Sequence, residues 1–442
     1  MEISHAAPTS GIGAALTRPR HIAPLAVLRI AFGLIMLISM IRFIAKGWIR
    51  EFYIAPKFYF PFYGFEWVHP LPAIGMYIVF ALMILTTIGI TLGLFYRASI
   101  ITFFICFVYV ELLDKSYYLN HYYFVTLITF LLMLVPAGRY FSLDVWRRPS
   151  LKITHAPAWM IGIFQAQLCL VYFCAGLSKL TYDWIIAAMP LKIWLPANAG
   201  MPVIGPLLKQ TWVAYAFSWF GAIFDLTIGP LLLYAPTRKT AYVFVILFHV
   251  LTGLLFKIGM FPYIMIAVTV IFFADDISQQ KETLIPFRLS TGKRKILYPL
   301  LVIYALLQLA LPFRYLLYPG KLYWTEEGYR FSWRVMLMEK GGITFFYVKD
   351  PRTGRRGEVI NRQFLTPLQE RMMQTQPDMI LQYAHYLHDI YNAKGIKDPV
   401  VTVESYVTLN GSGSRLYIDS TIDLARQQES FLPKKWILPY QP

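Results

Sequence analysis

The sequence predicts a polytopic α-helical membrane protein of about nine transmembrane helices, followed by a C-terminal β-rich extramembrane domain. Three observations lead there. The 442 residues are 57% hydrophobic and only 15% charged, with a mean hydropathy of +0.51, which is too apolar for a soluble chain. The apolar residues fall into uninterrupted runs of roughly membrane-spanning length. From residue 320 the composition becomes that of an ordinary globular domain. The expected organisation is a cytoplasmic N-terminal segment (1–21), a transmembrane domain (22–319) and a β-rich domain on the periplasmic or lumenal side (320–442).

The net charge of +17 raises the question of nucleic acid. Of 41 basic and 24 acidic residues, 16 and 13 lie from residue 320 onward, so most of the excess sits in the membrane part. Basic loops beside a bilayer meet the demands of topology and lipid headgroups, and a nucleic-acid partner is excluded.

Taken in order, residues 1–21 are polar, with Arg18 and Arg20 ahead of the first apolar run. That run is too long for a cleavable signal and reads as an anchor. The spans expected are 24–45, 73–96, 98–113, 119–136, 158–178, 213–236, 240–256, 259–273 and 296–313. With the N-terminus inside, inner loops carry fourteen basic residues and outer loops eight. The positive-inside rule therefore favours a cytoplasmic N-terminus, and an odd helix count places the C-terminal domain outside. There, 342–350, 401–409 and 414–422 alternate like strands, 350–354 and 410–413 carry turn chemistry, and 378–392 has helical spacing.

Three cysteines, Cys106, Cys169 and Cys174, all lie in apolar runs and suit packing, with no readable disulfide framework. Arg29, Arg42, Glu111, Gln165, Gln167, Asp225, His249 and Gln308 also fall within apolar segments. Each is costly there unless paired, so the bundle needs an interior hydrogen-bonded region. Structural pairing, for instance Asp225 with Arg29, is one outcome; a functional cavity is the other.

The chain is organised around VYFCAGLSKLTYDW, residues 171–184, where an apolar helix ends in Lys179 and an interfacial mixture follows. This places the amine where hydrocarbon meets water. Burial disfavours a charged amine and so favours a lysine that can act as a base. The same position suits a snorkelling lysine that anchors a helix end.

The string FCAGLSKL, with Asp183 and Trp184 after it, resembles the vitamin K-dependent γ-carboxylase family. The similarity continues through LGLFYR (92–97), LLDKSYYLNHYYF (112–124), FKIGMFPY (256–263) and DPRTGRRGEVI (350–360), in order along nearly the whole chain. The resemblance implies a membrane-embedded γ-glutamyl carboxylase and epoxidase. Its cofactor would be reduced vitamin K, a naphthoquinol, with O2 and CO2 as co-substrates, a glutamate-containing peptide or protein as substrate, and no metal. It implies that Lys179 is the base and that His121 supports catalysis. Asn120, Tyr329 and His249 would lie at the cofactor, and Trp333 beside the glutamate. His121 and Asn120 equally suit an interfacial belt with their neighbouring tyrosines.

The chain departs from the animal enzymes after YRFSW (329–333). A histidine and an arginine are expected shortly after the tryptophan, whereas this chain reads RVMLMEK, with Met338 and Lys340. Arg334 and Lys340 become the candidates for the glutamate carboxylate, and Arg330 could also compensate. The animal cysteine bridge between an early loop and the C-terminal domain is also missing, since no cysteine lies outside the apolar runs. Together with the absent signal pattern, this points to a bacterial inner membrane more than to an endoplasmic reticulum. The alternatives are a quinol oxygenase without carboxylation, a transporter, and a membrane scaffold. Oligomeric state is not legible.

Overall fold

A computed structural model describes residues 11–441 apart from 257, 274–282 and 288. Residues 1–10 of the N-terminal segment lie outside the described residues, as do Lys257, Lys281 and Arg288, three of the loop charges counted above. Nine helices occupy the nine expected segments: α1 (Ala23–Ala45), α2 (Ala73–Leu92), α3 (Tyr96–Leu113), α4 (Asn120–Leu134), α5 (Trp159–Lys179), α6 (Thr211–Leu233), α7 (Arg238–Leu255), α8 (Phe261–Thr269) and α9 (Thr291–Ala310). Among the described residues seven are long and apolar enough to cross a membrane; α4 and α8 are shorter. The 15 residues of α4 reach roughly 22 Å, less than the ~30 Å of a hydrocarbon core.

Helix ends are satisfied by partners distant in sequence. Arg29 of α1 is fully buried and donates to the carbonyls of Ile90 (2.9 Å) and Thr91 (3.1 Å) at the end of α2, and to Phe141 O. At the start of α3, the Asp144 carboxylate accepts from Phe95 N and Tyr96 N, both at 2.9 Å. The suggested pairing of Asp225 with Arg29 is therefore corrected. Helix-end carbonyls already saturate much of the guanidinium, and Asp225 finds another cation.

A short antiparallel pair, β1 (Pro19–His21) with β2 (His155–Pro157), ties the N-terminal segment to the lead-in of α5. The C-terminal domain is an antiparallel sheet in the order β4-β3-β5-β6, formed by β3 (Lys340–Lys349), β4 (Arg356–Val359), β5 (Val400–Leu409) and β6 (Arg415–Leu416). Burial alternates along β5, and its inner face packs with α10 (Pro367–Met373) and α11 (Pro377–Ala393), whose Met379, Ile380, Tyr383, Ala384 and Leu387 are buried. The strand expected over 414–422 is cut to two residues, because Ile418 leaves the sheet to bridge Ile437.

This domain sits directly on the bundle. Lys115, in the loop after α3, is 2% exposed and reaches Asp378 at 2.8 Å, which also meets Arg330 at 2.6 Å. Beside it, Gln369 donates to Asp114 at 2.7 Å and to Phe58 O at 2.8 Å. Arg330 and Lys115 hold the Asp378 carboxyl well below the usual range although its burial works the other way. Burial pushes Asp114 up to about 6, partly offset by hydrogen bonds from Ser116 and Gln369.

Candidate active site

Helices α5 and α6 approach so closely at Gly176 that a Cβ there would come within 2.8 Å of the Leu226 side chain. That approach sets Lys179, the last residue of α5, against Gly221 and Asp225, one helical turn apart on a single face of α6. Lys179 Nζ donates to Asp225 Oδ2 in a very short contact and lies 3.5 Å from Ala175 O. Both side chains are buried, at 8% and 6% exposure.

The amine is thus not at a water boundary, as position in the sequence suggested. Gly221 is ten residues into α6, roughly 15 Å along its axis, so α5 stops well short of where α6 begins. The gap is covered by the chain after Lys179. Trp184 lies over the amine, its ring centre 5.4 Å from Nζ. Its indole donates to Ser218 O at 2.8 Å, and the Ser218 hydroxyl returns a bond to Trp184 O.

His249 of α7 completes the polar set. It is 2% exposed, its Nε2 pairs with the Tyr172 hydroxyl at 2.9 Å, and its Nδ1 has no hydrogen-bond partner among the described residues. Tyr172, Ala175 and Lys179 share one face of α5 by their spacing. Lys179, Asp225 and His249 line one cavity of about 100 Å³, whose other walls are chiefly apolar, including Trp184, Trp194, Phe217 and Phe248. A single buried water needs only roughly 10–15 Å³ by the same measure, so this is more than a packing defect. Phe220, also in the lining, is 45% exposed on the outside of the bundle.

The roof on the domain side is a loop from the C-terminal domain, which contributes Val335 and Met336. Phe331, Trp333 and Met336 there hold left-handed backbone (φ 64°, 58° and 54°), each costing about 1–3 kcal/mol. The bundle holds the loop in place. Asn120 Nδ2 donates to Arg334 O at 3.0 Å, the Tyr118 hydroxyl accepts from Phe331 N at 2.9 Å, and Trp333 stacks on Tyr123 at 4.9 Å.

The candidates from sequence separate accordingly. Lys179 and His249 line the cavity. Asn120 and Trp333 fasten its roof, and Tyr329 donates to Arg334 O at 3.3 Å in the same loop. His121 is outside the lining. It lies across Phe261 from His249, with ring centres 5.9 Å and 6.0 Å from that phenylalanine. Lys340 spends its three donors on Trp324 O (2.8 Å), Glu326 (2.8 Å) and the Tyr417 hydroxyl (2.9 Å).

Arg334 differs from the other cations nearby. It is 7% exposed, rests 4.1 Å from the centre of the Tyr315 ring, donates to the Tyr323 hydroxyl at 3.3 Å, and has no acidic partner among the described residues. Tyr323 in turn reaches Ser178 O at 3.3 Å, next to Lys179. Asp225 had been visible in the sequence as one of eight polar residues in apolar runs, and Lys179 as the end of α5; their pairing was not. No group of three or more His, Cys, Asp or Glu side chains suited to a metal ion occurs among the described residues.

The comparisons with known proteins agree with this architecture. No solved structure matches the chain. A family model described as the HTTM domain matches residues 17–276, which takes in α1 to α8. A second, described as the lumenal domain of vitamin K-dependent gamma-carboxylase, matches residues 293–442, beginning within α9. Matched along both parts, by the HTTM domain over residues 17–276 and by the gamma-carboxylase lumenal domain over residues 293–442, the chain belongs to the vitamin K-dependent γ-carboxylase family.

Proposed function

We propose that the cavity is the active site of a vitamin K naphthoquinol-dependent γ-glutamyl carboxylase and epoxidase. The observation that carries this reading is the Lys179–Asp225 pair beside an unpartnered His249 Nδ1 in an otherwise aromatic and aliphatic cavity. Apolar walls suit a quinol ring, Nδ1 suits a hydrogen bond to one of its oxygens, and exposed Phe220 marks a way in from lipid. When bound, a reduced naphthoquinone supplies the oxygen-driven chemistry that makes a base strong enough to remove a glutamate γ-proton before CO2 is added.

The protein's share is proton handling and positioning. As an ion pair, Lys179 and Asp225 are neutral together. If Lys179 passes a proton to Asp225 and takes one from the quinol hydroxyl, the pair becomes cationic beside the oxygen that turns negative. Coulomb attraction in a dry cavity then favours that step. His121 supports this from across Phe261, and Arg334 offers its guanidinium to the glutamate carboxylate. Orientation follows the loop charges, with the N-terminus in the cytoplasm and the C-terminal domain outside.

The test uses purified protein, reduced vitamin K, labelled bicarbonate and a glutamate peptide, with epoxide and fixed label measured separately. Absence of both products from folded protein would overturn the reading. Epoxide without fixed label would favour the quinol oxygenase, a reading prompted by Met338 standing where the animal enzymes are expected to carry histidine.

A further inference from the structure

Helix α9 links the bundle to the C-terminal domain in the chain, yet little of it is buried. Leu297, Tyr304 and Gln308 are, while Ile303, Leu306 and Leu307 are more than half exposed. Lipid is as apolar as these side chains, so packing them on the bundle gains little, and interhelical hydrogen bonds matter more. Two of the three buried residues are polar and stand one turn apart. The Tyr304 hydroxyl donates to Gln167 Oε1 at 2.7 Å, Gln167 Nε2 to Gln308 Oε1 at 3.3 Å, and Gln308 Nε2 to the Tyr123 hydroxyl at 2.7 Å.

The chain of bonds thus runs through α9, α5 and α4 and ends on Tyr123, the ring on which Trp333 stacks with an interplanar angle of 27°. Trp333 is buried, its indole nitrogen has no partner among the described residues, and its backbone is left-handed. Nothing polar fixes that side chain; it is held by ring contacts, stacked on Tyr123 and edge-on to Phe124 at 6.1 Å, and of these two rings only Tyr123 carries the hydroxyl that ends the hydrogen-bonded chain. Two residues further on, Val335 and Met336 close the cavity.

We propose that Tyr304, Gln167, Gln308 and Tyr123 are positioning residues: their hydrogen-bonded chain docks α9 and, through Tyr123 and Trp333, holds the roof loop shut over the Lys179 cavity. The consequence for quinol binding rests on the function proposed above; the position of the loop does not.

The experiment labels full-length Met336→Cys protein with a charged, membrane-impermeant thiol reagent, above the background of the three natural cysteines. Tyr123→Phe keeps the stacked ring and removes only the hydroxyl. It and Gln308→Leu should each speed labelling about three- to tenfold, the order expected for losing one interhelical hydrogen bond. Gln165→Leu, whose amide bonds Ile271 O instead (3.3 Å), should leave the rate unchanged. Should Gln308→Leu fail to fold, Tyr123→Phe decides alone. Rates within about twofold of the parent for Tyr123→Phe, or an equal rise with Gln165→Leu, overturn the proposal. In a separate arm on the Met336 protein, Tyr123→Phe should raise the quinol KM about three- to tenfold while kcat holds. A labelling effect without quinol turnover in any variant would defeat the functional reading and leave the positioning chain standing.

Discussion

Lys179 and Asp225 face each other across the closest helix approach at the site, one at the end of α5 and the other in the middle of α6, and each neutralises the other in a cavity sealed by Trp184. Either charge alone would be buried without compensation. The two residues therefore hold both the local stability of the bundle and, on the proposed reading, its proton chemistry, and substitutions can separate the two roles.

Removing one member leaves an uncompensated buried charge, which typically costs about 3–5 kcal/mol, whereas replacing both with apolar residues is often near neutral. Lys179→Met and Asp225→Leu should each lower the unfolding temperature in detergent and abolish epoxide formation. The double variant should recover most of the stability and none of the activity. Near-normal epoxide from any stable protein lacking Lys179 would return this lysine to the role of an anchor.

The periodicity of the apolar runs made α1 to α9 legible, though not shorter helices such as α10, and the strand alternation over 342–350 and 401–409 anticipated β3 and β5. What periodicity does not carry is which helices meet. Asp225 could be seen to need a cation, but choosing Lys179 over Arg29 depends on Gly176 permitting the α5–α6 approach and on helix-end carbonyls occupying Arg29. The roof loop is illegible for another reason. Phe331, Trp333 and Met336 carry no signal for left-handed backbone, a conformation imposed by contacts with Tyr118, Asn120 and Tyr123 over two hundred residues earlier.

The contact between bundle and C-terminal domain should respond to pH in two stages of opposite sign. Asp114, pushed up to about 6, binds a proton more tightly when folded than the usual ~3.9 allows. The stability this brings is complete below the unfolded value and lost as pH rises through about 6, so docking should tighten from pH 7 towards 4. Asp378 is held low by Arg330 and Lys115, so its contribution is present above ~3.9 and is lost progressively as pH falls from there towards its depressed value. Protease nicking of the domain junction, followed from pH 7 to 2, should slow and then accelerate. Asp114→Asn should remove the first stage, and faster nicking between pH 7 and 5 would contradict the assignment.

The loop charges predict opposite locations for the two ends. Reporter fusions at the N-terminus and after the C-terminal domain should report inside and outside respectively. Because α4 and α8 are short, they are the helices on which the count depends. Both ends on one side would mean that one of them does not cross.

The last prediction concerns the division between epoxidation and carboxylation. A desolvated glutamate carboxylate needs a cation or hydrogen-bond donors, and three basic residues lie in or beside the cavity loop. Arg330 is committed to Asp378 and Lys340 to Glu326, while Arg334 alone lacks an acidic partner among the described residues. Arg334→Met should therefore weaken use of a glutamate peptide by about ten- to a hundredfold, the range expected for one lost charged hydrogen bond, with epoxide formation less affected. Lys340→Met should destabilise the domain instead, since it strips Glu326 and Tyr417 of their donor. Met338, partly buried against the domain core, supplies no polar contact, so Met338→His should raise fixed label selectively if carboxylation is the weaker half-reaction. Equal loss of epoxide and fixed label on Arg334→Met would tie this arginine to the quinol reaction and not to the glutamate. No loss of either would show that its stack on Tyr315 is structural and that the substrate carboxylate is held elsewhere.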